Sequence, residues 1–400
     1  MFVLMPQFRE SLAPGVSMVT VWLSFRWLGQ WGASHGLSAP GLILLIIQGQ
    51  IAVLLSTFGH ELGHLIAGWV SGERLRSFRA GPFRLERQNG RWRLNFQLSK
   101  FYVGAVSMIQ PDLRQMRSRH AFLIMGGPAA SLLIGSVSIV FSLTAAGNPW
   151  EPYWGLITMI ASVSIASFLA NLILHKPEGP YSDRARLRQM VINGPWAQIH
   201  LAFATLATSS ITPARPRDFD IRTIEHAAEL ISGSERALLL RLAACEHYLD
   251  SEQIPEALSS LRAAETLYEQ CSFDEPAELC EEFTFINAFY KRDLDAAEMW
   301  WEQVELNRDI EIGVDYWRAW AALQLLRGET EDAREAVKHG FALLRHLPPS
   351  GMMDFTWSCF EQLRLEIDQP VSKTPESLEG SLSARAAPCA PQEYTTSVEI

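Results

Sequence analysis

Residues 41–70 read GLILLIIQGQIAVLLSTFGHELGHLIAGWV and carry no charge before Glu61. A run of this length suffices for a helix that crosses the roughly 30 Å hydrocarbon core of a bilayer. Near its end stands His60-Glu61-Leu62-Gly63-His64. Residues four apart share one face of a helix, so His60 and His64 can offer two imidazole nitrogens to one metal ion. Glu61 beside them is suited to take a proton from a metal-bound water. Ionisable side chains are costly in lipid and usually mark function there. A zinc site built into a membrane helix suggests proteolysis within the lipid or at its edge. The blander alternative is a buried helix whose two histidines are satisfied by neighbours.

Two further stretches, residues 121–146 and 153–174, are also long and apolar enough to span. Residues 16–31 form a shorter fourth candidate that contains Arg26. This segment reads either as a span, with Arg26 paired or facing a cavity, or as an interfacial helix. Charge orients the set. Residues 71–120 hold eleven Arg and Lys against three acids, Glu73, Glu86 and Asp112. The link at 147–152 carries only Glu151, and Lys176, Arg184, Arg186 and Arg188 follow the last span. By the bias of basic loops towards the cytoplasm, the first and last of these lie inside. His60, His64 and whatever follows residue 174 are therefore expected at one membrane depth, near the cytoplasmic face.

Within the basic loop, residues 77–108 alternate in places, as in RWRLNFQL, with turn formers at Gly81-Pro82 and Asn89-Gly90. This pattern predicts a β-hairpin or small sheet lying against the membrane. The expected fold class is mainly α: a polytopic helical membrane domain of three to four spans over residues 1–195, with that small membrane-associated hairpin. A soluble α-helical domain follows over residues 196–365.

In the soluble part, Ala257, Ala297 and Ala333 close three segments of similar cadence, spaced by 40 and 36 residues. Helix–turn–helix repeats of the tetratricopeptide kind recur at about 34. The segment reads either as a degenerate (TPR-like) array or as an ordinary helical domain. From residue 366 the composition turns to Ser, Pro, Thr, Ala and Glu, which predicts a disordered tail.

Several classes are set aside. The net charge of −10 argues against a nucleic-acid partner, which needs a basic face. All five cysteines fall in the soluble half and none forms a C-x-x-C pair, which fits a reduced cytosolic setting and implies no cysteine-based zinc site. Residues 1–14 lack the basic start and small-residue cleavage site of a signal peptide. A metal transporter needs ligands strung along a path, and the other spans carry almost none.

A catalytic zinc needs a third protein ligand and one position left for water. Asp183 is the best placed, just past the last span, with His175 and Glu178 as competitors. Asp183 also reads as a plain helix N-cap. Gly126 and Ser131 read as close-packing positions in the second strong span.

Four features together resemble the site-2 protease family of intramembrane zinc metalloproteases, over residues 41–190. They are HELGH within a span, the membrane-associated hairpin, Gly126-Gly127-Pro128-Ala129-Ala130-Ser131 early in the next span, and Asn171 followed by Ser182-Asp183. The resemblance implies that His60, His64 and Asp183 bind Zn2+, that Glu61 is the general base, and that Asn171 helps hold the substrate backbone. It implies a membrane-protein substrate cut near the cytoplasmic face of the cell (inner) membrane. The C-terminal domain would then be cytoplasmic and available to a protein partner. Two departures stand out: Arg184 follows Asp183 where the family usually has glycine, and the proline often found beside Asn171 is missing. They leave room for a rival reading, a membrane-anchored helical-repeat scaffold with an unused zinc site.

Overall fold

The charge-free run becomes one continuous helix, α1 (Ala39–Val70), in a computed structural model that describes residues 39–88, 91–97, 104–144, 154–173, 182–270, 276–306 and 312–369. Residues 16–31, the Asn89-Gly90 turn, the link at 147–152, His175, Glu178 and everything beyond 369 lie outside the described residues. The only proline of α1, Pro40, sits in its first turn, where a missing N–H is tolerated. At 1.5 Å per residue the 32 residues of α1 reach about 48 Å. The helix ends at Gly72, whose φ of +82° is left-handed, and Glu73 N–H closes back on the Gly68 carbonyl at 2.9 Å. This glycine cap turns the chain straight into a sheet.

The sheet is larger than the hairpin expected from sequence. Four strands, β1 (Arg74–Ala80), β2 (Phe83–Gln88), β3 (Arg91–Phe96) and β4 (Gly104–Ile109), pair antiparallel in the order β3-β2-β1-β4. The Gly81-Pro82 turn joins β1 to β2, with Ala80 opposite Phe83. Strand β4 folds back beside β1, pairing Ile109 with Arg74, and among the described residues no strand pairs with its far edge. Alternation was legible only in the β3 region. In β1 and β4 the pattern is blurred because these strands pack on α1, where Phe58 meets the Phe78 ring edge-on at 5.6 Å.

Two more helices, α2 (Met116–Thr144) and α3 (Trp154–Ile173), pack with α1. The stretches Ile46–Val70, Met116–Thr144 and Trp154–Leu172 are each long and apolar enough to cross a membrane. Their outward faces fit lipid: Ile43, Leu44, Ile47 and Leu55 of α1, Leu133, Val140 and Leu143 of α2, and Leu169 of α3 are all exposed. Small residues bring the helices together. A Cβ on Gly63 would collide with the Gly126 carbonyl, and one on Gly126 would collide with that of Gly63, so α1 and α2 cross backbone against backbone. Ser56 of α1 and Ser164 of α3 share a buried hydrogen bond of 3.0 Å.

Beyond α3 come α4 (Asp183–Ile192) and α5 (Pro195–Ser209). Met190 and Ala197 are buried against Leu123 and Ile124 of α2, and Ala202 lies in a core with Phe219 and Ile224. The helical half then follows: α6 (Ile221–Leu230), α7 (Glu235–Asp250), α8 (Ile254–Gln270), α9 (Pro276–Ile286), α10 (Leu294–Leu306), α11 (Val314–Arg327), α12 (Thr330–Leu344) and α13 (Gly351–Asp368). One core centred on Phe283, Phe285, Leu323 and Phe360 unites α7 to α13. Helix α13 runs to Asp368, past the point where composition suggested a tail. Cys245, Cys280 and Cys359 are buried as free thiols in this core.

Candidate metal centre

Helical spacing alone brings His60, Glu61 and His64 together, with one ligand atom of each within 4.8 Å of the others. The two Nε2 atoms are 3.2 Å apart, and the rings stand nearly perpendicular at 84°. Asp183, the first residue of α4, completes the group. Its Oδ2 lies 3.0 Å from His60 Nε2 and 3.5 Å from His64 Nε2. All four residues are buried.

The outer nitrogens of both imidazoles are held by α2. His60 Nδ1 meets Ser131 Oγ at 2.8 Å, and His64 Nδ1 meets the Leu123 carbonyl at 2.9 Å and the Gly127 nitrogen at 3.2 Å. With a metal bound, each Nδ1 would carry the proton, His64 donating to the Leu123 carbonyl and His60 to Ser131 Oγ, so that each ring would present an Nε2 lone pair to the same point. Two lone pairs and a carboxylate oxygen within 3.5 Å of one another repel unless a cation sits among them. A tetrahedral zinc with ligands at roughly 2.0–2.1 Å sets its ligand atoms about 3.3 Å apart. The three measured separations bracket that value, so the residues fit the ion.

Asp183 is not the cap of its helix. Ser182 is, and its Oγ accepts from Ala185 N–H. The Asp183 carboxylate is thereby left to the histidines. Its N–H donates to Asn171 Oδ1 at 3.4 Å, and Asn171 Nδ2 donates to the Ser167 carbonyl at 3.2 Å. Arg184, which stands where glycine was expected, donates to the Leu172 carbonyl at the end of α3.

The surrounding backbone presses close. A Cβ on Gly104, the first residue of β4, would run into the Glu61 carboxylate, and one on Gly127 would run into the His64 imidazole. Sequence reasoning placed His60, Glu61, His64 and Asp183 in one group. It took Ser131 for a packing residue, whereas Ser131 is hydrogen-bonded to His60. The missed signal was its spacing: Ser131 stands four residues after Gly127, on the same face of α2.

This donor set is what activation of a water for hydrolysis requires, and it stands among three helices long and apolar enough to cross a bilayer. The class so defined is a membrane-embedded metallopeptidase. The model of peptidase family M50 matches residues 48–376, and the chain belongs to that family, the site-2 proteases. The match extends through the helical half as well as the spans. No curated protein and no solved structure matches the chain.

Proposed function

We propose that this chain is an intramembrane zinc metalloprotease that cuts a membrane-protein substrate near the cytoplasmic face of the cell (inner) membrane. His60, His64 and Asp183 are the metal ligands and Glu61 is the general base. The observation that carries the reading is the convergence of His60 Nε2, His64 Nε2 and Asp183 Oδ2 at 3.0, 3.2 and 3.5 Å. A zinc held by His60, His64 and Asp183 would lower the pKa of a bound water to about 7 and polarise the scissile carbonyl. Glu61 would be the group that accepts a proton from the attacking water and returns it to the leaving amine.

A helical substrate hides its peptide bonds in its own hydrogen bonds, and lipid offers no replacements. The open edge of β4 can replace them by pairing with an unwound stretch of substrate. Gly104 lies against Glu61, so a strand added at this edge runs past the general base. Asn171 is the proposed contact to the substrate backbone. Its Oδ1 accepts one bond from Asp183 N–H and has a second lone pair to offer.

The helical half is cytoplasmic in this reading and selects substrate or binds a protein partner. Its TPR-like character is supported by the second helices of three successive pairs, α8, α10 and α12. Each buries an alanine completely at its fourth residue: Ala257, Ala297 and Ala333.

The test compares membrane proteomes of cells carrying the native chain or Glu61→Gln. Fragments cut near a span boundary should occur only with the native chain. A well-folded preparation without zinc, and with no such fragments, would return the chain to the scaffold reading.

A further inference from the structure

The third ligand stands at the least secure place on its helix. Asp183 is the first residue of α4, and the first turn of a helix has the fewest hydrogen bonds of its own and frays first. The packing of α4 on Leu123 and Ile124 of α2 is made by Met190, about two turns further along. Residues 174–181, which join α3 to α4, lie outside the described residues.

Three side-chain contacts hold that first turn. Ala185 N–H donates to Ser182 Oγ at 3.4 Å, and Asp183 N–H donates to Asn171 Oδ1 at 3.4 Å. Both are longer than the roughly 2.7–3.2 Å usual for an N–H···O bond. The third contact is of another kind, because the Arg184 guanidinium donates from Nη1 to the Leu172 carbonyl. A charged donor makes a hydrogen bond roughly twice as strong as a neutral one. Its acceptor is well matched. The last four carbonyls of a helix have no partner within it and carry the negative end of the helix dipole. Leu172 is next to last in α3 and closes the stretch Trp154–Leu172 that is apolar enough to cross a bilayer.

Neighbouring residues are thus gripped on both sides, Asn171 and Leu172 on α3, Asp183 and Arg184 on α4. Two ties fix the direction of a helix start as well as its place. A glycine at position 184 has no side chain for the stronger tie, which would leave only the longer one through Asn171.

We propose that Arg184 is a positioning residue for the metal centre. It clamps the first turn of α4 to the last turn of α3 and so sets where the Asp183 carboxylate meets His60 and His64. It acts through Asp183 and not on the metal. The inference rests on Asp183 being a metal ligand, as in the proteolytic reading above.

The experiment measures Zn2+ affinity of the full chain in phosphatidylcholine nanodiscs by competition with chelating dyes, and needs no cleavage. Arg184→Ala should weaken affinity about tenfold, the lower end of what loss of a supporting partner costs a metal site. Arg184→Lys keeps a charged donor and should recover most of that loss. Arg188→Gln, at an exposed position one turn further along α4, should bind as the native chain does. The decisive arm is a double-mutant cycle. In Asp183→Ala, where the histidines are left to hold the ion weakly, adding Arg184→Ala should change affinity by less than about twofold, because nothing remains for Arg184 to act through. A loss of the same size in both backgrounds would mark a general role in folding and overturns the proposal. So does native affinity in Arg184→Ala, or an equal loss in Arg188→Gln, which would trace the effect to surface charge. If Arg184→Ala does not fold, Arg184→Gln, uncharged and of shorter reach, takes its place in the same cycle. A native chain that binds no zinc ends the protease reading and this inference together, whereas the other adverse outcomes end this inference alone.

Discussion

His60 Nε2 and Asp183 Oδ2 lie 3.0 Å apart although 123 positions separate the two residues in the chain. They meet because α1 and α4 are both packed on α2, and because the end of α3 is tied to α4 through Asn171 and Arg184. Asp183→Ala should therefore abolish tight zinc binding in the purified protein, read as zinc per chain by elemental analysis. Glu61→Gln should keep the metal and lose at least about 100-fold in turnover, the usual contribution of a general base. Full zinc content in Asp183→Ala would remove Asp183 from the ligand set.

Ser131 orients His60 through a 2.8 Å bond to Nδ1. Removing the hydroxyl with Ser131→Ala should weaken metal affinity by about 10- to 100-fold, as loss of such a supporting partner commonly does. Competition with a chelating dye measures this, and an unchanged affinity would leave Ser131 as a packing residue.

The crossing of α1 and α2 depends on Gly63 and Gly126. Gly63→Ala pushes a methyl group into the Gly126 carbonyl and should cost about 1–3 kcal/mol, the range for overpacking. Thermal unfolding in detergent reads the loss, and Ala at the lipid-exposed Ile47 provides a surface control.

Glu73 sits buried between α1 and β1, accepting from Gln110 Nε2 at 2.7 Å. Burial pushes its carboxyl up from 4.5 to about 7, against the pull of the Gln110 hydrogen bond and the Arg119 charge. Its second oxygen and the Gln110 carbonyl both lack a partner, and a protonated Glu73 can donate to that carbonyl. The folded value is raised, so this stability is fully present below pH 4.5 and is lost as pH rises through about 7. Glu73→Gln mimics the protonated acid. Its advantage in melting temperature over the native chain should grow between pH 5 and pH 8, and a constant difference across that range would disprove the assignment.

Arg318 and Glu282 form a buried ion pair in the helical half, with Asp315 3.0 Å from the same guanidinium. Arg318→Met leaves Glu282 buried and unpaired and should cost about 3–5 kcal/mol. Adding Glu282→Leu should recover most of the loss in urea unfolding monitored by tryptophan fluorescence.

Proline at Ala105 or at Val106 tests the open edge of β4. Successive residues of a strand turn their N–H groups to opposite sides, so one of the two variants leaves the β1 ladder intact. That variant should bind zinc normally and lose turnover; full turnover in both would sink the edge-pairing step.

The sequence by itself determined whatever depends on near neighbours. An apolar run without charge must be helical in lipid, because only internal hydrogen bonds satisfy its backbone there. A helix then puts His60, Glu61 and His64 on adjoining positions whatever else the chain does. The three spans were readable for the same reason, and so was a β-region in the basic loop. Tertiary structure alone decided the rest. The hairpin became a four-stranded sheet because β4 returns to pair with β1, a long-range contact that no local alternation encodes. Ser131 became a partner of His60 only through the glycine-to-glycine crossing that brings α2 against α1. Asp183 reached the histidines because Ser182 caps α4 in its place and frees the carboxylate. Spacing along one helix is set by backbone geometry, whereas contacts between distant segments are set by which surfaces pack, and packing is a property of the whole chain.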